Sequence, residues 1–329
     1  MRMLIATVST AAVLGALLGA PSARAAVNWA SVPEKEIVLF YPGQSSWEWA
    51  LSASEMTGSD EFRKGKDCAV CHIGEEAQMG PQIVTGQTRN FTPKDKPPYT
   101  RPGIEPTPIA GKPGAITAKV KVAHDASTLY VRLEFKEGQQ PDAKQDPATA
   151  TKVTVMFDDG KVPEANRGGC WAACHDDLKG MPSGGAGERT MYLPKSRAKL
   201  TRQGGGDALA PADQLAKLKS DGYQLEFWQA ALNPGQPAKA SSAIVFDKRE
   251  VAATSVAAAE ANQAGDGWVV VISRPLNAAA PYSPIAAGAK YHMAFAIHAG
   301  HTAQRFHYVS YERSLVLDAG DADLVAVKQ

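Results

Sequence analysis

The chain has 329 residues, with 35 Lys and Arg against 34 Asp and Glu, a formal net charge of +1, and 44% hydrophobic residues. A balance this close to zero argues against a nucleic-acid partner and against a strongly basic docking face. The length exceeds what one core usually fills, which predicts one large domain with an appended segment.

Met1-Arg2-Met3 leads into a small apolar run, Ala11 to Ala20, and then Ala23-Arg24-Ala25, a small-x-small site. This reads as a signal peptide over residues 1–25, cleaved after Ala25 and directing export to the periplasm. An uncleaved anchor is the alternative. No later stretch is apolar for the roughly 20 residues that a spanning helix needs.

Residues 26–104 read as a small helical segment with a linker. Glu36 to Tyr41 is an extended run stopped by Pro42-Gly43, and Ser45 or Ser46 can cap a helix through Trp47, Trp49 and Leu51 toward Phe62. Next comes Cys68-Ala69-Val70-Cys71-His72, the C-x-x-C-H attachment signature of haem c. Its spacing has a chemical reason: two thiols a turn apart form thioethers to the haem vinyls, and the following imidazole faces the iron from the same side. Gly80 to Pro113 is dense in Pro, Gly and Thr and reads as a wrapping linker.

Residues 105–329 change to period-two alternation. Ala118 to His124 and Leu129 to Phe135 form a hairpin pattern around Asp125-Ala126-Ser127. Lys152 to Phe157, Tyr223 to Trp228, Gly267 to Ser273, Tyr291 to His298 and Phe306 to Leu317 are further strands. Pro211 to Ser220 is a short helix, and Val251 to Ala264 is a helix or a loop. Many short strands between turns predict a mainly β fold, an antiparallel β-sandwich.

Inside this region Cys170-Trp171-Ala172-Ala173-Cys174-His175 repeats the first motif with one more residue between the cysteines, and the two motifs use all four cysteines of the chain. Two disulfides, or one zinc held by both pairs, are the alternatives. The disulfide reading requires no His after each pair, whereas Cys and His are the usual ligands of zinc.

A haem iron has a second axial position. Of the five other histidines, His292, His298, His301 and His307 fall within sixteen residues, and His124 stands apart. On a strand, His292 and His298 share a face. Met56 and Met79 lie near the first motif, and Met181 lies six residues past His175. Asp158-Asp159 and Asp176-Asp177 read as turn residues rather than a catalytic pair.

The order of several motifs resembles a known family. They are Val120 to Asp125 with Leu129 to Leu133, Val155-Met156-Phe157, Gly169 to Asp177, Trp268 to Val271 with Ser273 to Leu276, and Phe295 to His298 through Arg305 to Ser310. Together they resemble the haem-binding domain of cytochrome c-552-like proteins and of the γ subunit of ethylbenzene and dimethylsulfide dehydrogenases. That resemblance implies a β-sandwich holding haem between its loops. In those γ subunits Met and Lys hold a b-type haem; this chain departs by carrying Cys170, Cys174 and His175, as in a covalent branch. The family's C-terminal ligand-bearing segment falls near Arg305 to Ser310, which makes His307 the expected distal ligand of the second haem, with His298 next. For the first haem His298 leads, then Met56.

The expectation is therefore a periplasmic dihaem c-type cytochrome that transfers single electrons. Two covalent haem c groups would be held by Cys68, Cys71, Cys170 and Cys174, with His72 and His175 as proximal ligands. Lower-ranked distal candidates are Met56, His124, His301, Met79 and Met181. Expected partners are redox proteins: a quinol-oxidising complex, a periplasmic oxidoreductase or a molybdoenzyme. A haem enzyme with one open iron and a non-redox binding module are the other classes.

Overall fold

The computed structural model describes residues 27–52, 58–86, 104–105, 107–141, 150–185 and 187–329. The predicted signal peptide and Met56 lie outside them. Strands dominate. β1 (Lys35–Phe40) is followed by four short helices: α1 (Trp47–Ala50), α2 (Ser59–Arg63), α3 (Cys68–His72) and α4 (Glu76–Val84). Then come β2 (Ala115–His124), β3 (Thr128–Lys136) and β4 (Thr151–Asp158), and an excursion with α5 (Ala165–Gly168), a 3₁₀ turn at Gly169–Ala173 and α6 (Ala212–Ser220). The chain ends with β5 (Leu225–Leu232), β6 (Lys239–Val245), β7 (Arg249–Val251), β8 (Ala258–Ala264), β9 (Gly267–Pro275), β10 (Tyr291–His298), β11 (Tyr308–Val309), β12 (Arg313–Leu317) and β13 (Leu324–Lys328).

Pairing runs in the order β7-β6-β5-β4-β10-β11-β1-β2-β3-β9-β8. This ribbon folds over on itself: β8 and β9 pack against β5 and β6, giving the two layers of a sandwich. β12 and β13 bridge β10 to β2, and the β12–β13 and β13–β2 pairs are parallel. The alternation is strict where one face meets solvent: in β9, Trp268, Val270, Ile272 and Arg274 are buried and their neighbours are not. The core between the layers holds Leu39, Val120, Leu133 and Val270 with Phe157, Trp228 and Phe295. A second apolar cluster, with Met156, Ala172, Tyr223, Phe246 and Ala294, lies under the excursion between β4 and β5.

Three expectations change. Residues 258–264, where the alanine-rich run suggested a helix or loop, form β8, paired along its length with β9. Edge pairing to a strong strand overrides weak intrinsic preference. The expected linker from Gly80 begins as α4, which sits on β1 and β2. β1 belongs to the sandwich rather than to an appended segment, since it lies between β11 and β2. The segment with the first motif therefore lies in the chain between two sheet neighbours, β1 and β2.

Candidate haem-attachment sites

The first motif is one helical turn. Cys68, Cys71 and His72 at i, i+3 and i+4 leave α3 on one face. Cys68 packs on the core, Cys71 is exposed, and burial raises the Cys68 thiol pKa. His72 places Nδ1 2.9 Å from Glu75 Oε2. A carboxylate only accepts, so Nδ1 donates, which leaves Nε2 as the nitrogen that would face a metal. Val70 and Ile73 beside it are 69% and 54% exposed. Such open apolar side chains suit an apolar macrocycle. The donor set of this site fits haem c.

The second motif is placed differently. Gly169 takes φ 52° where the 3₁₀ turn begins, and a Cβ there would sit 3.1 Å from Ala294 Cβ and 3.3 Å from Glu312 N. Only glycine combines that dihedral with so close an approach to β10. Cys170 and Cys174 follow as free thiols, each raised to about 12 by burial. His175 is completely buried. Its Nδ1 lies 2.6 Å from Glu48 Oε1 and its Nε2 lies 3.0 Å from the Tyr192 carbonyl. Both nitrogens thus face acceptors, and a haem iron at Nε2 would take the place of the contact with the Tyr192 carbonyl.

The stretch from α1 closes over this second motif. Trp47 N donates to Cys174 O at 2.8 Å, Trp171 Nε1 to Ser45 Oγ at 3.0 Å, and Asp176 N to Glu48 Oε2 at 2.9 Å. The two motifs also meet each other. Tyr311 stacks on His72, with ring centroids 6.0 Å apart, and on Trp171 at 5.8 Å. Glu312 accepts a hydrogen bond from Ala69 N at 3.1 Å, while its backbone adjoins Gly169. Burial lifts the Glu312 carboxyl to about 7.

A parallel arrangement surrounds each histidine. His72 lies on Tyr311, whose hydroxyl is 4.0 Å from Met79 Sδ. His175 lies on Tyr192, with centroids 3.8 Å apart and planes 3° off parallel, and Tyr192 clusters with Met181 and Cys174. Met79 and Met181 thus share a tyrosine with a motif histidine.

The C-terminal histidines go elsewhere. His298 and His307 stack on each other at 4.7 Å, and His298 Nε2 and His307 Nδ1 both point at Gln304 O, at 3.1 and 2.8 Å. Among the described residues, no hydrogen bond or ring contact joins either to a motif. The reason is register: β10 and β11 pair Ala296 with Val309 and Ile297 with Tyr308, so the next pair outward is His298 with His307. Burial lowers both, His307 to about 4, which keeps the imidazoles neutral. His298 Nδ1 is buried without a hydrogen-bond partner. The two motifs therefore converge on Tyr311 and Glu312, a few residues beyond the expected His298 to His307.

His124 spends Nδ1 on Asp125 O and Nε2 on Asp318 at the far end of β2. His301 occupies the turn after β10 with φ 61°. The four cysteines form no disulfide, and among the described residues no group of three or more His, Cys, Asp and Glu is set to hold a metal ion. Glu48, Tyr192, Tyr311 and Glu312 escape a reading of the sequence alone, because nothing local distinguishes them from a helix-start acid or core tyrosines. The Ser273-Arg274-Pro275 motif has a structural cause: Arg274, fully buried, pairs with Glu226 at 2.8 Å.

The ethylbenzene dehydrogenase family model matches residues 84–310. Cytochrome c-552 of Stutzerimonas stutzeri is 32% identical over 318 residues, 96% of this chain and 94% of that protein. Cytochrome c-551 of Rhodocyclus tenuis is 27% identical over 305 residues, 92% of this chain and all of the relative. The chain belongs to the haem-binding, ethylbenzene dehydrogenase γ-subunit-like family that these cytochromes share.

Proposed function

We propose that the protein is a dihaem c-type cytochrome that carries single electrons in the periplasm. What carries this reading is that two Cys–His motifs, a hundred residues apart in sequence, meet across Tyr311, each with a histidine whose Nδ1 is held by a glutamate, Glu75 or Glu48. Full-length relatives named as cytochromes c support it. Bound haem supplies the one-electron Fe(III)/Fe(II) couple. The chain's part is to fix the ligands so that little moves when charge changes. Cys68, Cys71, Cys170 and Cys174 anchor the groups, while His72 and His175 provide the proximal nitrogens.

For the distal positions, Met79 is supported by the tyrosine it shares with His72, and Met181 by the one it shares with His175. His307 is supported by a tautomer that leaves Nε2 unprotonated. Export rests on the residue pattern of 1–25, and among the described residues no helix is long and apolar enough to cross a membrane. The redox partners proposed are a quinol-oxidising complex, a periplasmic oxidoreductase or a molybdoenzyme.

Peptide mass spectrometry of the purified protein tests the reading. Haem is expected on the peptides carrying Cys68–Cys71 and Cys170–Cys174, with Cys68→Ala and Cys170→Ala each weakening one attachment. A second peptide bearing two free thiols in wild-type protein would reduce the reading to one haem. Optical titration of Met79→Ala, Met181→Ala and His307→Ala assigns the distal ligands by loss of the low-spin spectrum.

A further inference from the structure

Both motif histidines give Nδ1 to a glutamate, but the two pairs sit in opposite surroundings. The His72–Glu75 pair is open to water, with side-chain exposures of 37% and 54%. In the His175–Glu48 pair they are 0% and 3%. The bond is also shorter, 2.6 Å against 2.9 Å. Glu48 is fixed at both oxygens, one on the imidazole and the other on Asp176 N. Its helix is held in turn: Ser46 caps it by accepting from Trp49 N, and Trp47 N is tied to Cys174 O.

A carboxylate on the far nitrogen of a ligating histidine raises the basicity of the ligand and favours the more positive metal. Its strength depends on how far water screens it. Glu75 is damped by solvent; Glu48 is not. Sequence separation hides the relation, because Glu48 lies 127 residues before His175, on the segment that carries the first motif.

We propose that Glu48 is a positioning residue that lowers the reduction potential of the second haem through His175, whereas Glu75 has little such effect on the first. This rests on the dihaem reading above. It splits two chemically similar Cys–His sites into a higher and a lower one, with the lower site buried beneath the excursion between β4 and β5. Electrons then rest preferentially on the haem at the exposed motif, where a partner can reach Cys71 and His72.

The test is a spectroelectrochemical titration of the wild-type protein, Glu48→Gln, Glu48→Asp and Glu75→Gln, with haem per chain measured in each. Glu48→Gln keeps the shape and a weaker acceptor. It should raise one midpoint by about 59 mV or more, a tenfold change for one electron, and leave the other in place. Glu75→Gln should shift its haem by less, and Glu48→Asp, which retains the charge but lengthens the 2.6 Å contact to His175, should raise the second midpoint by less than Glu48→Gln does. If Glu48→Gln loses haem or fails to fold, its partial counterpart decides: Glu48→Asp must then raise only the second midpoint as the contact lengthens, and an unmoved midpoint overturns the proposal. Two haems with Glu48→Gln moving neither midpoint, or both equally, also overturn it. A wild-type protein with one haem defeats the dihaem reading instead, which the haem count reveals separately.

Discussion

The rings of Tyr311 and Trp171 stack at 5.8 Å with 25° between their planes, joining the residue that lies on His72 to the residue enclosed by Cys170 and Cys174. Phe40 of β1 completes the cluster, 5.8 Å from Trp171 and 5.2 Å from Tyr311. Aromatic contacts of this kind add about 0.5–1.5 kcal/mol each beyond area burial. Tyr311→Leu should therefore destabilise the fold by about 2–4 kcal/mol. Tyr311→Phe gives up only the hydroxyl near Met79 and should cost less than about 1 kcal/mol. Guanidinium unfolding of both variants decides; equal losses would mean that the hydroxyl rather than the ring holds the junction.

Glu312 makes stability depend on pH. Burial raises its carboxyl to about 7 in the folded chain, above the unfolded value near 4.5. The native state thus binds the proton more tightly, and stability falls as pH rises between those values. Asp158, also lifted to about 7, chiefly by burial and further by the neighbouring Asp159, adds to the same fall. Glu312→Gln retains an acceptor for Ala69 N and removes the titration. At pH 8 it should be more stable than wild type by on the order of 3 kcal/mol, and near pH 4.5 the difference should vanish. Urea titrations at both pH values check this, and a gap independent of pH counts against Glu312.

Gly80 is where α4 crosses the base of β2. A Cβ there would lie 1.9 Å from Gly114 O. Alanine gains about 1 kcal/mol of helix propensity, but a backbone clash cannot be relieved by rotating a side chain. Gly80→Ala should destabilise by about 1–3 kcal/mol net and loosen Met79 from Tyr311. A melting temperature at or above wild type would show that α4 is not seated on Gly114.

The Glu226–Arg274 pair is buried in the sandwich, with side-chain exposures of 3% and 0%. Arg274→Leu strands a buried carboxylate and should cost about 3–5 kcal/mol. Replacing Glu226 by Leu as well should recover part of that loss. A double variant no better than the single one would show that guanidinium packing on Phe157 and Trp228, rather than charge, is what matters.

Much of the scaffold was legible because it alternates. β2, β3, β4, β9 and β10 bury every second residue somewhere along their length, and the β2–β3 hairpin keeps its turn at Asp125, whose side chain accepts from Ser127 and Thr128. β8 was not legible, since the face it turns to the core carries only small side chains, Ala259 and Ala261, and the strand depends on its neighbour for pairing. The motifs announced themselves through cysteine spacing, but their surroundings did not. Glu48 reaches His175 only after the chain returns across more than a hundred residues, and proximity along the sequence misleads for His298 and His307, which the strand reversal turns toward each other.

The position of β1 bears on how the chain is made. It lies between β2, whose partner residues begin about 75 positions later, and β11, some 270 positions later. A chain emerging from its N-terminus thus presents β1 first and completes its pairing almost last. Contacts of such long range slow folding, because loop closure comes before reward. In that interval both Cys–His motifs precede β10 and β11, so His175 is reachable in the unfinished chain and buried in the finished one, where Cys170 and Cys174 stay partly exposed.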